Sequence, residues 1–141
     1  VTIEVAEATL ERIQKGLKDR LETIDGLRAT ATVPDIPNLP AAYPMLVSWV
    51  YDTEFGGAAQ WTFDVFVMVT ISGDMNRAQT NLNAYISPTG RKSIKCAIEA
   101  DPSLGGCGVS FTHVQGGGAY GQDRVGAVDV LSASVRVVVA A

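Results

Sequence analysis

Side chains able to do covalent chemistry are scarce in this sequence. His113 is the only histidine, and Cys96 and Cys107 are the only cysteines. A cysteine nucleophile needs a base close enough to hold its thiolate, so His113 with Cys107 or Cys96 is the one pairing available. His113 also falls in step with Val109 and Phe111 in a run that reads as strand, which makes a hydrogen-bonded strand histidine the plainer reading. No CxxC spacing points to zinc. The run Gly116-Gly117-Gly118-Ala119-Tyr120-Gly121 matches GxGxxG, but a phosphate cradle requires a helix N-terminus directly after it. Residues 122–139 read as strand instead, so the glycines predict a flexible loop. Asp52, Glu54 and Asp64 flank one predicted hairpin without the spacing of a calcium loop, and read as a solvated rim. Lys15, Lys18, Arg20, Arg28, Arg91 and Lys92 form no dense basic run, which argues against sequence readout of DNA. The residues thus predict no catalytic site, no metal site and no cofactor.

The elements that position these side chains must come from a chain of 141 residues with 47% apolar and 18% charged residues and a net charge of -4. That length suits a single domain over residues 1–141, able to bury about 68–70% of its unfolded surface without metal or disulfide. Composition excludes a disordered tail, a collagen-like repeat and a disulfide-dense scaffold. The longest uncharged stretches, 36–51 and 103–122, are broken by prolines and glycines, so neither predicts a membrane span. Two cysteines fit a reducing compartment, and residues 1–25 are acidic and amphipathic rather than signal-like, so a soluble protein made in the cytoplasm is expected.

Residues 3–24 predict a helix, with Leu10, Ile13, Leu17, Leu21 and Ile24 along one stripe. Gly26 suits a left-handed cap after it. A short strand is expected at 28–33, followed by a stiff connector over 33–44 that holds four of the six prolines. The next strand, 45–51, sets Met45, Val47, Trp49 and Tyr51 on one face, and a hairpin loop covers 52–60. The clearest strand is 61–71. There Trp61, Phe63, Val65, Val67, Val69 and Ile71 alternate with a second face made partly apolar by Phe66 and Met68. Asp74 is a plausible N-cap for a helix at 75–86, and a shorter helix follows at 93–100. Strand at 109–114, a flexible loop at 115–122 and one long strand at 125–139 complete the chain. This order predicts an α+β fold, a mainly antiparallel sheet with the N-terminal helix and a central helical pair packed on it.

Trp49, Trp61, Phe63 and Phe66 read as mostly core. Phe55 and Tyr120 lie in glycine-flanked loops, where an exposed aromatic marks a protein contact. The candidate assembly surface is accordingly Phe55, Gly56, Gly57 and Gln60 in one loop, with Tyr120, Gln122 and Arg124 in the other.

The run Gly90-Arg91-Lys92-Ser93-Ile94 through Ala97-Ile98, then Asp101-Pro102-Ser103-Leu104-Gly105-Gly106, the Tyr120-Gly121 segment and a final valine-rich strand resembles the tail terminator family of long-tailed bacteriophages. The N-terminal helix ahead of a proline-rich segment, and Arg77, Ala78, Gln79 and Leu82 after the long strand, fit the same pattern. The resemblance implies a non-enzymatic virion protein at the neck of the tail, assembled in the host cytoplasm. Such proteins form a ring, usually of six subunits, on the head-proximal end of the tail tube. The implied partners are further copies of itself, the major tail tube protein and the head-to-tail connector, with genomic DNA passing through the lumen unheld. A heterologous contact that closes into a cycle is what such a ring requires. The loops 52–60 and 115–124 suit docking to it, and the net negative charge suits a channel that does not grip phosphates. Other readings are a different neck protein (tail-completion or head–tail connector), a small-ligand-binding α+β domain, and a small hydrolase built on Cys107 or Cys96.

Overall fold

In a computed structural model, described over residues 9–32, 39–51, 59–71, 73–104, 109, 111–125 and 127–141, helix α1 spans Thr9–Glu22. Its predicted stripe is the buried one: Ile13, Leu17 and Leu21 are fully buried, Ile24 follows just past the helix, and Leu10 packs at the margin. Gly26 has φ +82°, in the turn after the helix. The first six positions of the predicted helix, 3–8, lie outside the described residues.

Five strands follow the order β1 (Arg28–Ala29), β2 (Ala41–Val50), β3 (Gln60–Thr70), β4 (Phe111–Val125) and β5 (Val128–Ala140), with α2 (Met75–Ile86) and α3 (Ile94–Glu99) between β3 and β4. They form one sheet in the spatial order β1-β2-β3-β5-β4. Only the β1–β2 pairing is parallel, and the other three are antiparallel, so the sheet is mixed and mainly antiparallel. The α+β expectation holds. β3 and β5 pair without interruption from Gln60–Ala140 to Thr70–Val130, and this ladder is the spine of the fold.

All three helices lie on one face of the sheet. There the odd residues of β3 (Phe63, Val65, Val67 and Val69) and of β5 (Leu131, Ala133, Val135, Val137 and Val139) meet Ala78, Leu82 and Tyr85 of α2 and Ile94, Ala97 and Ile98 of α3. Asp74 caps α2 by accepting a hydrogen bond from the Arg77 amide at 3.2 Å, as its position predicts. Arg20 Nε donates to the Ala97 carbonyl at 2.8 Å and ties α1 to α3.

Three expectations need correction. The glycine-rich 115–122 segment is strand within β4 and not a loop, because β5 offers it a continuous ladder. It is an irregular strand, with register shifts between Val114 and Gly116 and between Gly118 and Gly121, the glycines accommodating the bulges. The segment 125–139 is likewise not one strand: β4 ends at Val125, β5 begins at Val128, and these two residues pair. Finally, β2 begins at Ala41, inside the proline-rich connector, and carries a register shift between Leu46 and Ser48. A bulge moves every later side chain to the opposite face. Met45, opposite Asp64, therefore does not share a face with Trp49, opposite Trp61.

Candidate functional site

Of the four described candidates from the two predicted docking loops, Gln60 and Arg124 lie at opposite ends of the sheet, with Tyr120 and Gln122 between them along β4. Gln60 opens β3, half-buried, between Val50 and Ala140. Arg124 lies at the far end of β4 opposite Asp129, eleven positions from Ala140 along β5, or roughly 36 Å at strand rise. Gln122 and Arg124 are exposed, and Arg124 Nε lies 3.2 Å from Asp129 Oδ1. Tyr120 is 43% exposed, yet its hydroxyl is held 3.0 Å from Asn83 Oδ1 on α2. Phe55, Gly56 and Gly57 lie outside the described residues.

The apolar surface that the sequence reading missed is on β2. Trp49, expected in the core, is 50% exposed, and Val47, Val50 and Tyr51 are 44%, 55% and 65% exposed. Trp61 is only half-buried, with Tyr51 edge-on to its ring at 6.4 Å, and its indole Nε1 is buried without a hydrogen-bond partner among the described residues. β1 covers β2 only at Ala41 and Ala42, so the edge of β2 beyond them has no strand beside it among the described residues. The period-2 pattern marked these residues as one face of a strand. It carried no information on which side the helices would lie or where the sheet would end.

On β4 the odd residues Phe111 and His113 point outward, with Phe111 56% exposed and its ring stacked on that of His113 at 6.4 Å. His113 Nδ1 lies 3.7 Å from Glu99 Oε2, and the same oxygen accepts from the Val114 amide at 3.3 Å. Lys95 pairs with Glu99 from one turn earlier on α3. The hydrogen bond from Lys95, with that from Val114 and the nearby Lys95 and His113 charges, holds the Glu99 carboxyl below its ordinary value. Lys95 and Glu99 sit at i,i+4 spacing, which was a legible signal; His113 and Val114 come to them only through the fold. Cys96 is exposed, with its thiol 3.2 Å from the Pro88 carbonyl. The histidine's charged neighbour is therefore a carboxylate. Cys107 lies outside the described residues.

Asp64 is paired with a cation. Arg136 grips it from the adjacent strand in a two-pronged contact of 3.0 and 3.2 Å on the helix-free face. Asp52 and Glu54 lie outside the described residues. Among the described residues, no group of three or more His, Cys, Asp or Glu is arranged to hold a metal ion. No helix among them is long and apolar enough to cross a membrane.

Hollows flank Gly116–118 on both faces, because this stretch of β4 lacks side chains. On the helix side a groove of about 440 Å³ runs between Tyr85, Ile86, Pro88 and Lys95 and the glycines. On the other side a more open hollow of about 450 Å³ has Asp64, Arg136 and Ser134 on its floor. Gly117 is required by close approach: a Cβ there would fall 1.8 Å from the Ser134 carbonyl oxygen.

The residues that carry the family resemblance act structurally. Ser93 caps α3, accepting from the Cys96 amide at 3.2 Å, and Ile94 is fully buried behind it. Asp101 Oδ1 accepts from the Ser103 amide and hydroxyl at 3.2 and 2.6 Å, closing a turn that seats Leu104 in the core. In comparison with known proteins, the chain matches no protein-family model and no curated protein.

Proposed function

We propose that this chain is a structural virion protein, a tail terminator that forms a ring on the head-proximal end of a phage tail tube. The ring stops tube polymerisation and offers the surface on which the head docks, with no bond-making chemistry. The observation that carries this reading is the β2 edge. Residues 41–51 contain no charged side chain, and Val47, Trp49, Val50 and Tyr51 stand exposed along a strand whose edge has no strand beside it there among the described residues. A soluble protein ordinarily protects such an edge with lysine, proline or a covering segment, so an apolar edge is a surface for other protein. The capped helix and tight turn built by the resemblance motif fit the same reading as structural elements, packed beside β4 at the other side of the sheet.

The test is to add the purified protein to polymerising tail-tube subunits. Capped tubes of restricted length are expected, and unchanged tube length with no end-binding overturns the reading. Native mass spectrometry of the assembled ring should give about 89 kDa, six times 14.9 kDa.

The groove of about 440 Å³ beside Gly116–118 favours a second reading, a binding site for a small, largely apolar ligand. Thermal stabilisation of a strictly monomeric protein by one compound of a metabolite panel would favour it over the ring.

A further inference from the structure

We propose that copies of this chain join edge to edge, residues 48–50 of β2 in one copy pairing with residues 111–113 of β4 in the next to continue the sheet across the junction. The inference rests on the ring reading for the identity of the partner, a second copy, and specifies the surface through which it binds.

Three rows of the sheet run unbroken from β2 to β4, neither of which has a further strand beside it at these rows among the described residues: Ser48–Thr62–Val138–His113, Trp49–Trp61–Val139–Thr112 and Val50–Gln60–Ala140–Phe111. The two ends of each row are therefore at the same height on the molecule. A copy shifted sideways along a row brings its Val50 opposite Phe111 of its neighbour. β2 and β4 run in opposite directions, since three antiparallel pairings separate them. The sideways shift therefore gives an antiparallel ladder, whose strands can pair without slipping in register.

Chemistry at the two ends matches as well. Neither 41–51 nor 109–122 contains a lysine, arginine, aspartate or glutamate, so neither strand itself supplies the charges that normally keep strand edges apart, and Glu99 with Lys95 meets β4 at Val114, just past these rows. Val50 is 55% exposed, Trp49 50% and Phe111 56%, so each end supplies apolar surface to bury. Glu99 closes the amide of Val114, and the register shifts begin directly after it, which confines the regular free stretch of β4 to these rows. On β2 the bulge between Leu46 and Ser48 sets the same limit. A symmetric two-fold β2–β2 pair over the same residues would leave the exposed ring of Phe111 uncovered. A contact between unlike edges is heterologous, the kind that repeats around a ring.

Cysteine cross-linking of the full chain in a cysteine-free background tests the contact. Val50→Cys mixed with Phe111→Cys should form a mixed disulfide dimer about tenfold faster than either forms with Thr80→Cys, an exposed control on α2. Both substitutions in one chain should give a ladder of oligomers. Val50→Lys should remove the oligomers while circular dichroism stays unchanged. Homodimers of Val50→Cys outpacing the mixed pair would overturn the proposal in favour of the two-fold contact. No cross-link above control would also overturn it, and oligomers persisting by native mass spectrometry would then mean that the ring uses another surface. Efficient mixed cross-linking by a protein that fails to cap tail tubes would uphold the edge contact and reject the tail-terminator reading.

Discussion

The two faces of β3 share one backbone and meet different fates. Phe63, Val65, Val67 and Val69 point toward three helices and are at most 3% exposed. Thr62, Asp64 and Phe66 point the other way and are only half-buried, Phe66 stacked on Tyr43 at 5.6 Å. Only at the end nearest β1 does the second face close, where Ala41, Met68 and Val130 pack under Leu39, Tyr43 and Val125. One face therefore carries the stability of the domain, while the other is held by cross-strand pairs and leaves apolar area open. The same contrast recurs at the two ends of β2, covered by β1 at Ala41 and Ala42 and bare at Val50.

The most direct way to break this comparison is Phe63→Ala. Phe63 is fully buried, and its truncation should destabilise the protein by about 3–5 kcal/mol in denaturant unfolding. A loss under about 1 kcal/mol would mean that the helix-covered face is not the main core. Gly117→Ala should follow at about 3 kcal/mol, at the upper end of overpacking costs, because its Cβ meets backbone that cannot rotate away. Gly118→Ala, with nothing within 4 Å of the added Cβ, is the matched control and should be near neutral. Met68→Ala, on the partly closed face, should cost about 2 kcal/mol, the low end for buried methionine. A cost equal to that of Phe63→Ala would erase the distinction between the faces.

Smaller effects sharpen how the helices are kept in place. Asp74→Ala removes the α2 cap and should cost about 1 kcal/mol, read from the same unfolding curves. Glu99→Gln tests the clasp between α3 and the β4 edge. The folded carboxyl is held below its ordinary value by Lys95, Val114 and His113. Its contribution is therefore present above the unfolded value, about 4.3, and is lost as pH falls through the lower folded value. Wild type should exceed Glu99→Gln by under about 1 kcal/mol at pH 7, the difference vanishing in acid. A difference that grows on acidification would contradict the assignment.

Much of the scaffold was legible. The α1 stripe, the Asp74 cap, the α2 bounds and the alternation of β3 each rest on a spacing of one to four residues, where local sterics and amphipathicity decide. The site was far less so. Trp49 read as core because its alternation with Val47 and Met45 is intact in sequence; the bulge sets it on the face of Leu46 and Trp61, but near the end of an edge strand, where it stays 50% exposed. Gly116–118 read as loop by composition, since glycine forms strand only where a neighbouring strand supplies the ladder. Asp64 and Arg136, 72 positions apart, carry no mutual signal at all.

The sequence by itself determined the helices α1 and α2, the strand β3 and the residues these three turn inward, because those choices follow from backbone period and side-chain character within a few positions. Only the tertiary structure decided which face the helices cover, where the sheet stops, and which strand edges face each other across it. Those outcomes depend on pairings between residues tens of positions apart, and a strand's own pattern is the same whether its edge is buried or bare.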